Sequence, residues 1–267
     1  MRLPPLRGVL AALGLGAALL ATWAVAIEPR WLEVPIHRVG LATGAPALRI
    51  ALVADLHLGR GASPDVAGTL RALAPDLVVL AGDVLDDRAH LPELARFLAA
   101  TRGLRRVAVL GNWEHWAGLD LAALRALYEH QHGVRLLVNE AWTFEARGRR
   151  VEVVGLDDPT AGQPDLKAAK ATGRADVSLL VVHSPAYFAP GAPLREARRF
   201  DMCLAGHTHA GQVTLFGRPL WLPPGSGGFS AGLYQTAHGP LYVTRGIGTS
   251  LVPVRLGARP ELPLFTW

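Results

Sequence analysis

Cysteine is nearly absent: Cys203 is the only one in 267 residues. That excludes an intramolecular disulfide and any zinc site built on thiolates. Cys203 lies in an apolar run, where a lone thiol reads as inert core. Also missing is a basic helix interleaved with aromatics, the pattern of nucleic-acid binders. The arginines fall instead into small groups, Arg105-Arg106, Arg147-Arg149-Arg150 and Arg195-Arg198-Arg199, which read as solvated surface, so no nucleic-acid partner is expected. The formal charge of +5 suits anionic substrates or lipid headgroups. There is no internal repeat. Half of the residues are hydrophobic, enough for one large domain with a terminal appendage.

Charge disappears entirely between Gly8 and Ile27, a run flanked by Arg2 and Arg7 and by Glu28-Pro29-Arg30. About twenty helical residues rise about 30 Å, enough to cross a hydrocarbon core. Trp23 and Trp31 suit an interface. Ala24-Val25-Ala26 resembles a signal-peptide cleavage box, but the expectation is an uncleaved single-pass anchor over 1–30 that contacts the bilayer through 8–27. Arg2 and Arg7 favour an inside N-terminus and a catalytic domain outside the cytoplasm, although Arg30 and Arg38 dilute that bias. A linker or edge-strand lead-in follows over 31–47, and the main domain spans 48–267.

Short apolar runs then recur with helical stretches between them. Buried strands are expected at 48–54, 76–81, 106–110, 178–182 and 201–205, with others near 134–138, 141–145, 151–154, 212–215 and 241–244. Helices are expected from Ser63, as cap to Pro64, through Leu73, and over 91–100, 119–130 and 165–171. Five of the strands end in donor residues: Asp55 and His57, Asp83, Asn112, His183, and His207 with His209. In open α/β sheets such loops gather beyond the carboxyl ends of the strands. Histidines two apart on an extended segment point to opposite faces. His207 and His209 therefore converge only where the chain bends, which Gly206 and Gly211 permit.

Two Asp, one Asn and four His exceed the needs of one zinc. They suit two metals about 3.5–4 Å apart sharing a carboxylate bridge, which hold a phosphoryl oxygen and activate a water. Glu114, Asp86, Asp87, Asp157 and Asp158 are set aside from this ligand list, with Asp158-Pro159 read as a turn. Trp221, Phe229 and Tyr234, in a Pro/Gly-rich stretch, are expected to order that loop; a substrate cap or membrane-facing lip is the other reading.

Asp55-x-His57, Gly82-Asp83, Gly111-Asn112, His183 and Gly206-His207-x-His209 together resemble the calcineurin-like metallophosphoesterase superfamily, from about 48 to 250. Residues 27–34 and 242–250 resemble its membrane-associated bacterial branch, which includes phosphodiesterases and UDP-diacylglucosamine pyrophosphatase relatives. The resemblance implies an α/β fold, a four-layer α/β/β/α sandwich. It assigns Asp55, His57, Asp83 and His209 to one metal, and Asn112, His183 and His207 to the second, with Asp83 bridging. The metals would be two divalent or trivalent ions, Mn, Fe or Zn. The expected activity is hydrolysis of a phosphodiester, phosphomonoester or pyrophosphate on a phosphorylated small-molecule, nucleotide- or lipid-linked substrate.

One departure from the family pattern matters. A histidine usually follows the Asn, and here that position is Trp113, with His115 two residues on as a candidate catalytic substitute. The loss leaves leaving-group protonation weak and favours good leaving groups. It also opens the alternative of a catalytically impaired metal-binding scaffold at the membrane. A His-x-His amidohydrolase would carry its histidine pair early in the chain, and this pair comes late.

Overall fold

A computed structural model describes residues 6–40, 47–60, 63–170, 173–190 and 198–267. Arg2, Arg195, positions 41–46 of the lead-in and the end of the 165–171 segment lie outside the described residues.

The strands are β1 (Ile36–Arg38), β2 (Arg49–Val53), β3 (Leu77–Ala81), β4 (Arg106–Val109), β5 (Arg135–Leu136), β6 (Glu140–Ala146) and β7 (Arg149–Gly155). There follow β8 (Val177–Val181), β9 (Met202–Ala205), β10 (Thr214–Leu215), β11 (Arg218–Pro219), β12 (Gly232–Thr236), β13 (Gly239–Val243) and β14 (Leu264–Thr266). Two six-stranded sheets result, in the orders β1-β14-β2-β3-β4-β5 and β12-β13-β9-β8-β7-β6. Strands β2 to β5 run parallel, as do β7, β8, β9 and β13. The lead-in is an edge strand in part: β1 pairs in parallel with the C-terminal β14.

Alternation explains how the sheets stack, because successive side chains of a strand face opposite ways. Ile50, Leu52, Leu77, Val79, Val107 and Val109 face Val153, Leu179, Val181 and Leu204 across the inner layer. Their neighbours Ala51, Val53, Val78, Leu80 and Ala108 face outward onto helical residues such as Leu70, Leu94, Leu98 and Tyr128. Each buried Leu or Val side chain contributes about 1.5–3 kcal/mol. The other outer face, with Leu180, Cys203 and Leu241, is covered by Leu166, Phe188 and Phe200. Irregular chain and a short 3₁₀ turn at Pro185–Phe188 form that fourth layer, with no α-helix there among the described residues.

The helices are α1 (Leu6–Thr22), α2 (Val66–Leu73), α3 (Leu91–Ala100), α4 (Asn112–Trp116) and α5 (Leu121–Arg125), which continues as a π turn to Gln131. Three local expectations change. Asp65, not Ser63, caps α2, since its carboxylate accepts the Gly68 N–H at 2.8 Å. The stretch from 165 is turns rather than a helix: the Asp165 carboxylate accepts the N–H groups of Lys167 and Ala168 and closes a local loop. The short α4, directly after β4, was not expected; Glu114 holds its first turn by accepting the Gly111 N–H at 2.8 Å.

The α1 segment is continuous from Arg7 to Arg30, 24 residues long and apolar enough to cross a membrane. Its far end is tied down: the Arg255 N–H donates to Ala24 O at 2.9 Å, and the Ala258 N–H to Glu28 at 2.8 Å.

Candidate metal centre

Five of the seven candidate ligands carry positive φ: Asp55 (55°), His57 (44°), Asp83 (51°), His207 (71°) and His209 (49°). The left-handed region costs a non-glycine residue roughly 1–2 kcal/mol. Such outliers persist only where the surroundings over-determine them, and they cluster at functional sites. The bend that brings His207 and His209 together is therefore made by the histidines themselves, helped by Ala210 and Gly211. Gly206 serves differently: a Cβ there would come within 2.7 Å of both the Ala54 Cβ and Asp55 Oδ2. Its lack of a side chain lets β9 approach the β2 loop.

All seven side chains are buried and converge at the carboxyl ends of β2, β3, β4, β8 and β9. Asp55, His57 and His209 offer ligand atoms within 4.8 Å of one another, and so do Asp83, His183 and His207. The two groups abut. His183 Nε2 lies 3.0 Å from Asp83 Oδ2 and 4.0 Å from Asp55 Oδ1. Asp55 also accepts the His207 N–H, at 3.0 Å to one oxygen and 3.1 Å to the other, joining the two sheets.

A neutral imidazole donates from one nitrogen and offers a lone pair from the other. His183 Nδ1 donates to Ala81 O at 2.7 Å, and His57 Nδ1 donates to Asp86. His207 Nε2 donates to Pro224 O at 2.7 Å. The remaining nitrogen of each ring therefore turns a lone pair into the cluster. His183 Nε2 is a buried atom with no hydrogen-bond partner, since its approach to Asp83 lacks hydrogen-bond geometry. His57 Nε2 faces His209 Nε2 at 3.0 Å, and His207 Nδ1 faces Asn112 Oδ1 at 2.8 Å. Outer partners that orient ligating histidines in this way are the rule around bound metals. The donor set fits cations.

The electrostatics agree. Burial raises the Asp55 carboxyl to about 6, and the Asp83 charge adds to that against the opposing histidines. Burial also acts to raise Asp83, but the charge and hydrogen bond of His183, with the His57 charge and the Trp113 N–H, together hold Asp83 below 3.8. Burial pulls His183 down, yet Asp83 and Asp55 drive it well above 6.5. Burial pulls His57 down as well, yet Asp86, Asp83 and Asp55 raise it above 6.5. With no metal bound, the buried carboxylates thus favour protons on His183 and His57, which a metal cation would displace on binding. Burial and the His183 charge push His207 down to about 4. Burial, His57 and Arg255 push His209 well below 6.5, leaving it neutral and able to ligate.

Residues that sequence reasoning missed support this cluster from behind. Glu114 accepts from the backbone N–H groups of Asp83, Val84, Leu85 and Gly111 and clamps the β3 and β4 loops together. Asp83 Oδ1 accepts the Trp113 N–H at 2.9 Å. Gly111 permits that closeness, because a Cβ there would stand 2.2 Å from Asp83 Oδ1. Asp86 receives both His57 and Arg60. The Arg255 guanidinium is fully buried, donates to Gly248 O, Ala258 O and Arg245 O, and lies 3.3 Å from His209 Nδ1.

A cavity of about 500 Å³ opens over the cluster, with Asp83, Asn112, His207 and His209 at its floor. Trp113, Trp116, Trp221, Leu251 and Val252 wall it. His115 is not among its lining. Three residues after Asn112 on α4, it turns away and pairs through Nε2 with Asp157 Oδ1 at 2.7 Å, in a separate recess beside Asn139 and Gln163. This geometry corrects the expectation that His115 replaces the missing histidine. Asp158 forms the expected turn, accepting from Thr160 and Ala161. Phe229 and Tyr234 pack edge to face at 4.9 Å, and Trp221 lines the cavity instead.

The family model described as calcineurin-like phosphoesterase matches residues 48–211. The uncharacterized metallophosphoesterase YkuE of Bacillus subtilis is 30% identical, over 98% of this chain and 95% of its own. The phosphodiesterase YaeI of Escherichia coli is 30% identical, over 89% of each. A transmembrane protein with a metallophosphoesterase domain from Bos taurus is also 30% identical, over 86% of this chain and 55% of its own.

Proposed function

This chain belongs to the calcineurin-like phosphoesterase family and is a hydrolase of phosphoester bonds, and from that premise we propose that it cleaves a phosphodiester or pyrophosphate with a good leaving group at a two-metal site. The observation that carries the reading is the abutment of the two ligand groups through His183, Asp83 and Asp55. Asp55, His57, Asp83 and His209 would hold one ion, and Asp83, Asn112, His183 and His207 the other, with Mn, Fe or Zn suited to this imidazole and carboxylate set. Two such ions polarise a phosphoryl oxygen and lower the pKa of the attacking water.

The protein's own groups set the rest. Asn112 and His207 meet at the cavity floor, where a phosphoryl group would rest. Asp83, His207 and His209 are the titratable side chains among the described residues lining the cavity, and all three are assigned to the metals. Trp113, at the position where the family pattern carries a histidine, lines the cavity. The departing oxygen therefore leaves without a side-chain acid, which restricts efficient substrates to aryl, nucleotide or pyrophosphate leaving groups. The domain plan is an anchor over 1–30 and a catalytic unit over 48–267. Arg7, in the first turn of the helix, supports a catalytic domain outside the cytoplasm.

The test is hydrolysis by the purified full chain in detergent with Mn²⁺. Bis(p-nitrophenyl) phosphate, p-nitrophenyl phosphate and a UDP-linked pyrophosphate are compared, with EDTA and Asp83→Asn controls. Turnover lost in both controls, with the diester or pyrophosphate preferred, is the expected result. A protein that binds two metals and turns over none of the three is a binding scaffold, and the proposal fails.

A further inference from the structure

Phe216 is 97% exposed, at the tip of the hairpin formed by β10 and β11. Its φ of 51° is the left-handed region, where a bulky side chain is a true outlier, and Gly217 follows at 76°. The fold buries nothing in return for that strain. Leu215 and Leu220 beside it are exposed as well, and so are Leu251 (67%) and Val252 in the facing loop. A contiguous exposed apolar patch rimmed by polar residues marks an interaction site.

The occupant follows from what the patch is attached to. Gln212, at the base of the hairpin, donates through Nε2 to Val252 O and Val254 O and accepts the Ser250 N–H, so one buried side chain joins hairpin and loop. The Leu256 N–H donates to Gln212 O, and the Thr214 N–H to Leu256 O, each at 2.8 Å. The neighbouring Arg255 N–H donates to Ala24 O at the end of the apolar helix. Three hydrogen-bonded steps thus lead from that helix to the hairpin. Val25, Ile27 and Trp31 are exposed at the same helix end, and Trp31 packs edge-on to Trp23 at 5.5 Å, the amphipathic aromatics favoured at a lipid interface. Arg30 and Arg218 are exposed beside the two apolar groups and suit phosphate headgroups.

We infer that the 214–219 hairpin and the 250–253 loop form a lip that inserts into the bilayer its own N-terminal helix crosses, seating the mouth of the metal cleft on the lipid surface. The inference rests on reading residues 7–30 as a membrane-crossing helix. Leu251 and Val252 belong to both the lip and the cavity wall, and the exposed Trp221 just past the hairpin lines the same wall, so a phosphoester presented by a membrane amphiphile reaches the floor without leaving the interface.

Phe216→Cys in the full chain gives a single reactive thiol, since Cys203 is buried. The variant is labelled with an environment-sensitive fluorophore and reconstituted into phosphatidylcholine vesicles. Glu145→Cys, on the far edge strand β6, is the control. Expected are quenching by lipids with a nitroxide high on the acyl chain and shielding from iodide at 216 but not at 145. Equal iodide access at both positions overturns the inference. A second arm separates it from the enzymatic reading: Phe216→Asp hydrolyses soluble bis(p-nitrophenyl) phosphate at the unaltered rate, but a vesicle-borne alkyl p-nitrophenyl phosphate several-fold more slowly. Equal loss on both substrates, or on neither, overturns the lip. No hydrolysis of the soluble diester by the unmodified chain counts against the catalytic reading alone, and the quenching result stands by itself.

Discussion

The Glu114 carboxylate accepts the backbone N–H of Asp83 at 3.0 Å, from a helical position 31 residues further along the chain. The same carboxylate takes three more N–H groups, so it fixes the left-handed turn that aims Asp83 at the cluster. Burial and the Asp83 charge raise Glu114 to about 6 against those hydrogen bonds, so it is ionised and accepting at neutral pH. Glu114→Gln should cost roughly 2–3 kcal/mol, because an amide turns a donor toward N–H groups already donating. Thermal unfolding should show the loss, and metal content should fall with it. Unchanged metal content in a destabilised protein would separate Glu114 from the site.

What was legible in the chain had a local signature. A run such as Leu77 to Ala81 followed by Gly82-Asp83 needs only its own residues to announce a buried strand with a donor at its end. Seven site positions and most strands could be read this way. Glu114, Asp86 and Arg255 act through partners tens of residues away, and no spacing rule relates Arg255 to His209. His115 misled because proximity in sequence to Asn112 says nothing of direction until α4 exists to turn the two apart. Ser63 lost the cap to Asp65 because the carboxylate reaches the Gly68 N–H from two positions nearer the helix.

Asp86 is the outer partner of His57, and it also receives Arg60. Asp86→Ala leaves every candidate ligand in place but frees the His57 ring to rotate and to change tautomer. Losing such a partner costs roughly 10–100-fold in metal affinity. Titration with Mn²⁺ should show one of two sites weakened by that factor. Two sites of unchanged affinity would mean that Arg60 or packing orients His57.

His115 and Asp157 form an ion pair outside the cleft, and its pH dependence follows from opposite shifts. The Asp157 hydrogen bond raises His115 above 6.5, which stabilises the fold below that pH and is lost as pH rises through the raised value. Burial acts to raise Asp157, but His115 together with the Gln163 and Asp158 N–H groups holds Asp157 below 3.8, which stabilises above 3.8 and is lost on acidification through the lowered value. His115→Gln should therefore be most destabilising between 3.8 and 6.5, by on the order of 0.5 kcal/mol for a partly exposed pair. Melting temperatures across pH check this. Turnover of a soluble diester should stay within about twofold of the unaltered chain, since general acid catalysis would have contributed at least 10²-fold.

Arg255 is a fully buried cation whose donors go to backbone carbonyls, and burial lowers it to about 10. Arg255→Met removes hydrogen bonds to Gly248, Ala258 and Arg245 at once. The loss should be about 3–5 kcal/mol, the scale for breaking a buried charged network. It should also loosen the 250–256 loop, so backbone amides there should exchange faster with solvent. A stable variant with unchanged exchange would mean that the loop is held by Gln212 alone.

Trp113 gives the sharpest test of how the missing acid shapes substrate choice. Its indole stands edge-on to His57 at 6.1 Å and under the Arg60 guanidinium at 4.8 Å, while the Trp113 backbone N–H donates to Asp83. Trp113→His keeps that backbone contact and places an imidazole on the cavity wall. A positioned acid helps most where the leaving oxygen is basic. Turnover of a diester with an alkyl leaving group should therefore rise by roughly tenfold or more, below the full range of an evolved acid because the new ring lacks an orienting partner. The p-nitrophenyl diester, which departs without a proton, should change little. A series of esters graded by leaving-group pKa would show the dependence flattening in the variant. A parallel shift at every leaving group would mean that Trp113 acts by shaping the cavity rather than by withholding a proton.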